Sequence, residues 1–185
     1  MSMEASEGGG DLSGATIYGF EPLPWQEGFV HTTEREVLGS GAFGSGKSRG
    51  LNEALVTRLT AYPGNVGLLC RNTLKALRNT TLDNLYDEVL PQSWIVPSLT
   101  NQQKQVIAIQ SPFYPASYCP ECGHETDQRT HEESVECPAC NEAVLEAVPA
   151  SLLYYDGLQT TDDTNEIPEN ILSLELGVIG VDECK

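Results

Sequence analysis

A glycine-rich run ending in lysine and serine has the clearest chemistry in this chain. Its pattern, G-x-x-x-x-G-K-[ST], is that of a phosphate-binding loop, and its residues are Gly41, Ala42, Phe43, Gly44, Ser45, Gly46, Lys47 and Ser48. Glycines let backbone N–H groups close around a polyphosphate, the lysine brings a positive charge to the β- and γ-phosphates, and the serine hydroxyl can bind Mg²⁺. This run, called the glycine loop below, predicts a nucleotide-phosphate site. A glycine-rich surface loop is the alternative.

The segments beside the glycine loop fit the strand–loop–helix context that the motif requires. Before the loop, Val37 and Leu38 form a short apolar segment that we interpret as a strand. After it, apolar residues recur at helical spacing until Pro63 and Gly64 end the pattern. The apolar positions of this predicted helix are Leu51, Ala54, Leu55, Leu59 and Tyr62.

An acidic pair near the other end of the sequence could complete such a site. Asp182 and Glu183 directly follow the apolar run 176–181, which is typical of a buried parallel strand. A carboxylate at the carboxyl end of that strand can hold the Mg²⁺ that also binds Ser48, and a second carboxylate can polarise the attacking water. We therefore predict Asp182 as a magnesium ligand and Glu183 as a catalytic residue, although an acidic pair is also common in a chain this acidic.

Four cysteines form a second candidate site. Cys119, Cys122, Cys137 and Cys140 make two C-x₂-C pairs with fourteen residues between them, the spacing of a Cys₄ zinc ribbon. A closed shell of four thiolates leaves no open coordination position, so we expect structural zinc without catalysis at the metal. A disulfide framework or a redox pair is disfavoured, and His124 and His131 are alternative ligands.

The surroundings of these cysteines do not favour nucleic-acid binding. The segment from Cys119 to Glu146 contains eight acidic residues and one arginine, Arg129. Affinity for a phosphate backbone comes from cations that release counterions. We therefore expect this ribbon to act as a structural staple or a protein-docking module.

The alternation of apolar runs predicts an α/β fold with a mostly parallel sheet and helices on its faces. The remaining predicted strands are 65–70, 105–110 and 151–156, the last a hairpin partner of the second, and the predicted helix 74–90 ends at Pro91. The predicted organisation is an acidic disordered tail (1–16), an α/β domain (17–112 and 149–185) and an inserted ribbon (113–148). Within it, Cys70 is expected in the core, Cys184 in packing, and 162–168 in a polar loop or helix start.

Charge and hydropathy set further expectations. The net charge is −17, but residues 35–78 hold seven basic and two acidic residues, a net charge of +5, which leaves −22 for the rest. The basic part surrounds the glycine loop, where phosphates would be met. The acid excess suggests a protein kept soluble at high salt. No apolar run reaches 18 residues and no secretory signal is evident, so we expect neither a membrane partner nor export.

Three segments together resemble the large subunits of tailed-virus terminases, the ATPases that pump DNA into capsids. Residues 20–26 are similar to that family's proline–aromatic–glutamine motif, residues 69–73 to its strand and following arginine, and residues 172–183 to its stretch ending in a magnesium aspartate and a catalytic glutamate. The resemblance covers about 18–110 and 150–185. It implies a P-loop ATPase fold of the additional-strand, catalytic-glutamate type, with ATP, Mg²⁺ and a structural Zn²⁺ bound.

The same resemblance implies roles and partners. Gln26 would recognise adenine with Trp25 nearby, and Lys47 would act in catalysis. An ordinary core aromatic is the alternative for Trp25. Because the glycine loop has no basic residue before Lys47, the charge-stabilising arginine would be Arg71 or one from an adjacent subunit; a surface charge or carboxylate partner is the alternative for Arg71. The expected partners are double-stranded DNA, a homo-oligomeric ring on a capsid portal and the small terminase subunit, in the host cytoplasm.

The chain ends two residues after Glu183, whereas the family continues with further strands and a nuclease domain. The resemblance therefore implies one piece of a split or interrupted gene, completed by a downstream-encoded nuclease part. Two other functions stay open at this point. One is a helicase-type or other nucleic-acid-dependent P-loop ATPase, and the other is a non-enzymatic zinc-ribbon interaction protein with a degenerate nucleotide site.

Overall fold

The structure is a computed structural model that describes residues 21–32, 34, 36–40, 44–127, 135–141, 143–158 and 176–182. The predictions for the tail 1–16, for the segment 162–168 and for Cys184 lie outside these residues.

A four-stranded sheet forms the centre of the α/β part. Its strands are β1 (Val66–Arg71), β2 (Val106–Ile109), β6 (Ser151–Gly157) and β7 (Val178–Asp182), in the order β2-β6-β1-β7. β6, β1 and β7 run parallel, and β2 pairs antiparallel with β6. The sheet is thus mostly parallel. The predicted pairing of strand 105–110 with strand 151–156, as partners in a hairpin, is confirmed by the antiparallel pairing of β2 with β6.

Helix α1 (Pro24–Val30) and helix α2 (Lys47–Ala61) come before β1. α2 starts directly after the left-handed Gly46 and stops at Tyr62, before Pro63 and Gly64. It lies against β7, where a Cβ on Gly180 would come within 2.6 Å of the Leu55 side chain. A glycine at this point of β7 therefore lets the helix approach the sheet closely.

One continuous helical segment follows β1 and ends before Pro91. It begins as α3 (Leu74–Ala76) and widens into π-helical turns at Leu77–Leu82 and Leu85–Val89. At the first widening, the Ala76 carbonyl accepts hydrogen bonds from the Thr80 hydroxyl at 2.8 Å and from Arg71 at 3.4 Å. Side chains that occupy a helical carbonyl compete with the regular backbone ladder. This competition is our explanation for the wide turn.

The main core lies between the sheet and these helices. Leu69, Leu153 and Ile107 come from three adjacent strands and are fully buried against Leu55 and Leu77 from the helices. On the opposite face, β7 leaves Ile179 and Val181 58% and 43% exposed. The expected burial of Cys70 in the core is confirmed.

A second, small sheet lies between β2 and β6 in the chain. Its strands are β3 (Ser117–Tyr118), β4 (Glu125–Thr126) and β5 (Glu146–Ala147), in the order β4-β3-β5. Its apolar cluster contains Leu145 and Ala143, and the other members are cysteines. Side chains as few as these bury little apolar surface, so the small sheet needs another source of stability.

One strand prediction is wrong. Val37 and Leu38 are 44% and 91% exposed, and residues 36–40 form no strand. Two apolar residues cannot specify a strand without a neighbour to pair with, and none of the described strands pairs with this segment.

Candidate functional site

Ser48 and Asp182 lie in contact although 134 residues separate them. Ser48 is in the first turn of α2, and Asp182 is the last residue of β7. The Ser48 Oγ donates to the carboxylate, with distances of 3.2 Å to Oδ1 and 3.0 Å to Oδ2. Two adjacent ligands of an octahedral Mg²⁺ at about 2.0–2.1 Å each lie about 2.9 Å apart. Hydroxyl and carboxylate oxygens at this separation fit the two protein ligands of such an ion.

The described part of the glycine loop turns sharply before α2. Gly44 and Gly46 have φ angles of 75° and 77°, which favour glycine. The Lys47 Nζ lies 3.4 Å from the Ser45 hydroxyl. Because the loop leads directly into α2, the backbone N–H groups of the first helical turn lie beside Lys47 and Ser48, and a helix N-terminus favours anions.

Gln26 on α1 is hydrogen-bonded to the backbone of the glycine loop. Its Nε2 donates to the Gly46 carbonyl at 2.8 Å, and its Oε1 accepts from the Leu23 N–H at 2.8 Å. The side chain is buried, and a Cβ on Gly46 would meet it at 2.8 Å. Gln26 thus contacts the glycine loop itself, and its amide keeps one further N–H for another acceptor.

A cavity of about 950 Å³ opens beside this turn, between α1, α2, the segment 36–40 and β7. Lys47, Asp182 and Trp25 are among its lining residues. Trp25 is 38% exposed and packs its ring obliquely against Phe29, with the ring centres 6.2 Å apart. The cavity volume is within the range of small-ligand sites.

Arg71, the last residue of β1, lies beside Asp182 on the neighbouring strand. Its Nη1 is 3.9 Å from the Asp182 Oδ2, and it also contacts the Thr80 hydroxyl. Arg71 is therefore an ion-pair partner of the carboxylate, the alternative that the sequence left open. Its predicted catalytic role stays a prediction.

Thr81 is a residue of this site that the sequence reasoning missed. Its hydroxyl donates to the Asp182 Oδ2 at 2.7 Å, and the residue is fully buried. A threonine in the middle of an amphipathic helix pattern gives no signal by itself. The contact follows from the wide helical turn and could not be read from spacing.

A charged cluster lies one turn further along α2. Arg49 donates from Nε to the Glu53 carboxylate at 2.8 Å and also contacts Glu88. The Glu53 side chain is only 2% exposed. Burial raises the pKa of Glu53 to about 7, against the opposing effect of the Arg49 charge and hydrogen bond and with a smaller upward contribution from Glu88.

We expect stability to fall between pH 5 and pH 8 because of Glu53. The pKa of Glu53 is higher in the folded state than in the unfolded chain, so in this window the folded state binds more protons than the unfolded state. Raising the pH removes that proton and with it the stability that protonated Glu53 contributes. The loss should be about 2 kcal/mol, and Glu53→Gln should abolish it. Chemical denaturation at both pH values measures this difference. Glu88→Gln, which changes the exposed partner of Arg49, is the control, and equal pH slopes in wild type and Glu53→Gln would contradict the assignment.

The four cysteines come together as predicted. Their four Sγ atoms all lie within 4.8 Å of one another, so the cluster is positioned to hold a metal ion. The Sγ atoms of Cys119 and Cys140 are 3.8 Å apart, and those of Cys122 and Cys137 are 3.6 Å apart. Sulfurs about 2.3 Å from a tetrahedral zinc lie about 3.8 Å from each other. The geometry is consistent with structural zinc and not with disulfides, whose sulfurs are about 2.05 Å apart.

Two matching turns present these sulfurs. The N–H of Gly123 donates to the Cys119 carbonyl at 2.9 Å, and the N–H of Asn141 donates to the Cys137 carbonyl at 2.9 Å. Gly123 and Asn141 both have positive φ angles, 71° and 54°. Glycine and asparagine tolerate this conformation best, so the residue after each C-x₂-C pair was a usable sequence signal.

Several predicted site residues lie outside the described part of the chain. They are Gly41, Ala42, Phe43, Glu183 and the alternative zinc ligand His131. His124 is described and is not a member of the cysteine cluster.

Among the described residues, no helix has both the length and the apolar character needed to cross a bilayer.

Comparison with protein-family models, with curated proteins and with solved structures found no match for this chain. The assignment of a function therefore depends on the geometry of the site itself.

Proposed function

We propose that this chain binds and hydrolyses ATP with Mg²⁺, as the motor portion of a viral terminase large subunit that drives DNA into capsids. The observation that carries the proposal is the contact of Ser48 with Asp182. A serine directly after a glycine–lysine turn and an aspartate ending a parallel strand are the two protein ligands of Mg²⁺ in P-loop NTPases.

In the proposed P-loop site each residue has one task. The backbone from Gly44 to Gly46 surrounds the phosphates together with Gly41, Ala42 and Phe43, and Lys47 neutralises the β- and γ-phosphates. Ser48 and Asp182 would hold Mg²⁺, which would supply positive charge to the phosphates. Such a reaction needs positioning and charge stabilisation more than covalent chemistry. Glu183, which follows Asp182, is the proposed residue that orients the attacking water.

Residues around the turn are proposed to bind the adenine base and to stabilise the negative charge of the transition state. Trp25 offers a partly exposed ring at the cavity, and Gln26, whose buried amide is bonded to Leu23 and Gly46, is the proposed contact for the adenine. Arg71 is the proposed source of positive charge near the γ-phosphate. In the structure its guanidinium pairs with Asp182, so it would have to exchange that partner for the nucleotide.

The proposed partners follow from the resemblance alone. They are double-stranded DNA, further copies of the chain in a ring on a portal, the small terminase subunit and a downstream-encoded nuclease part. The positive segment 35–78 is the part of the surface suited to phosphates. Stimulation of hydrolysis by double-stranded DNA would support a packaging motor, whereas stimulation by single strands would favour a helicase-type ATPase.

Asp182→Asn tests the proposed magnesium ligand. We expect the affinity for ATP in the presence of Mg²⁺ to fall at least about tenfold, because contacts of charged groups contribute roughly 1.5–3 kcal/mol. ATP affinity in EDTA should change little. Fluorescence titration with a labelled ATP analogue measures both affinities.

Asp156→Asn is the matched control, because Asp156 is a carboxylate near the same end of β6, where the Gly157 N–H and Gln105 bind it. It should leave both affinities unchanged. A wild-type chain that binds no nucleotide with or without Mg²⁺ would overturn the proposal and favour a zinc-ribbon interaction protein.

A further inference from the structure

The Asp182 carboxylate is held by a hydroxyl on the helical segment as well as by Ser48. The Thr81 Oγ1 lies 2.7 Å from the Asp182 Oδ2, which is shorter than either Ser48 contact. A carboxylate only accepts, so Thr81 is the donor, and a hydrogen bond to a charged acceptor is of the stronger class. Thr81 is fully buried and Asp182 is 4% exposed, so water does not compete at this contact.

The backbone of Thr81 is fixed to the same helix that carries Ser48. Asn52 Nδ2 donates to the Thr81 carbonyl at 2.9 Å and to the Asn84 Oδ1 at 3.1 Å. Asn52 follows Ser48 by four residues, so the two side chains leave the same face of α2. Ser48, Asn52, Thr81 and Asp182 therefore form a closed chain of contacts between α2, the π-helical turn and β7.

This arrangement is retained at a cost in stability. The Asn52 Oδ1 is buried and has no hydrogen-bond partner among the described residues. An unpaired buried acceptor destabilises the folded state. π-helical turns are themselves rare and are frequent at functional sites. Both observations indicate that Thr81 is held in place for the site and not for the core alone.

We propose that Thr81 is a positioning residue for the metal at Asp182, an inference that rests on the proposed function. Its hydroxyl engages Oδ2 and fixes the rotation of the carboxylate. The other oxygen, Oδ1, has the longer contact with Ser48, 3.2 Å, and is the oxygen that the metal would take. Groups that orient a ligand in this way typically change metal affinity 10- to 100-fold when removed.

The test removes only the hydroxyl. Thr81→Val should lower the apparent affinity for Mn²⁺ in the presence of ADP about tenfold or more. The free Mn²⁺ signal in electron paramagnetic resonance measures this without any turnover. ADP affinity in EDTA should stay within about twofold, and Thr81→Ser, which restores the donor, should recover Mn²⁺ binding.

Thr57→Val is the matched control, because it makes the same chemical change away from the site. Thr57 lies buried on α2, and within the described part of the chain its hydroxyl has no hydrogen-bond partner. It should not alter Mn²⁺ affinity. If Thr81→Val does not fold, Thr81→Cys, with a much weaker donor of similar size, replaces it under the same expectation.

The outcomes separate this inference from the proposed function. Unchanged Mn²⁺ affinity in Thr81→Val, an equal loss of ADP affinity in EDTA, or failure of Thr81→Ser to recover binding would overturn the positioning role and leave nucleotide binding intact. A wild-type chain that binds neither ADP nor Mn²⁺·ADP would overturn both.

Discussion

Lys47→Ala is expected to lower the affinity of the chain for ATP about 100-fold while the fold stays intact. The lysine follows the left-handed Gly46, lines the cavity beside Asp182, and contacts Ser45 through its ammonium group. Removing a charged contact to phosphate costs roughly 1.5–3 kcal/mol, and each 1.4 kcal/mol is a factor of ten. Hydrolysis should fall further, because the same charge stabilises the transferring phosphoryl group.

The control is Lys75→Ala, which removes an exposed lysine of α3 and the same amount of charge. Isothermal titration with ATP and Mg²⁺ should give the wild-type affinity for this variant. Circular dichroism and the thermal midpoint should be similar in all three proteins, since Lys47 is only half-buried and lines the cavity. Equal ATP affinity of Lys47→Ala and wild type would show that the glycine loop is not the phosphate site.

The pairing of Ser48 with Asp182 could be expected from sequence because each residue has its own local signal. Glycine spacing marks the start of a helix after a tight turn, and an apolar run marks the strand that ends at Asp182. Parallel strands place their carboxyl ends at one edge, next to the start of the connecting helices. The four cysteines were predictable for a similar reason, since each C-x₂-C pair is a short-range structure of its own.

Contacts that depend on the course of one irregular helix could not be expected in this way. Thr81 reaches Asp182 because the turns after Ala76 are wide, and these follow from competition for a single carbonyl by Thr80 and Arg71. The burial of Glu53 is likewise a tertiary effect. Its position four residues after Arg49 predicts an exposed ion pair on a helix surface, and the packing of the helical segment 74–89 against α2 encloses it.

The failure at Val37 and Leu38 has a different physical origin. A strand is stabilised by pairing and by burial against a neighbour, so its apolar residues are informative only if a partner is present. The described strand β7 has β1 on one side, and none of the described strands lies on its other side. With no strand to receive it, the segment 36–40 stays irregular and lines the cavity.

Arg71 acts in the structure as the partner of a carboxylate. A catalytic arginine must approach the γ-phosphate, whereas this guanidinium is 13% exposed and lies 3.9 Å from the Asp182 Oδ2. Its contacts with Thr80 and Thr81 keep it on the side of the helical segment. Arg71 therefore neutralises the carboxylate in the structure. Under the proposed function, a divalent cation bound at Asp182 would compete with Arg71 for this carboxylate.

Removing the metal from the cysteine cluster is expected to unfold the small sheet and to leave the four-stranded sheet folded. Among the described residues, the small sheet has strands of two residues each and an apolar cluster made mostly of the cysteines themselves. Metal binding in small zinc modules contributes about 10–16 kcal/mol, far more than such a cluster can supply. By contrast, the fully buried side chains of the main core on β1, β2 and β6 form a cluster of their own, separate from the cluster of the four zinc-site cysteines.

Cys137→Ser is the most informative variant for this test, because Cys137 is a fully buried member of the cysteine cluster. We expect it to lose one equivalent of zinc per chain. Hydrogen exchange of the amides of β3, β4 and β5 should then rise to nearly unprotected rates, while those of β1 and β6 remain protected. Cys70→Ala, which alters a buried cysteine of the main core, should keep its zinc and its protected small sheet. Full protection of β3, β4 and β5 in a zinc-free chain would show that the small sheet is stabilised by its own side chains and that the cysteine cluster has another use.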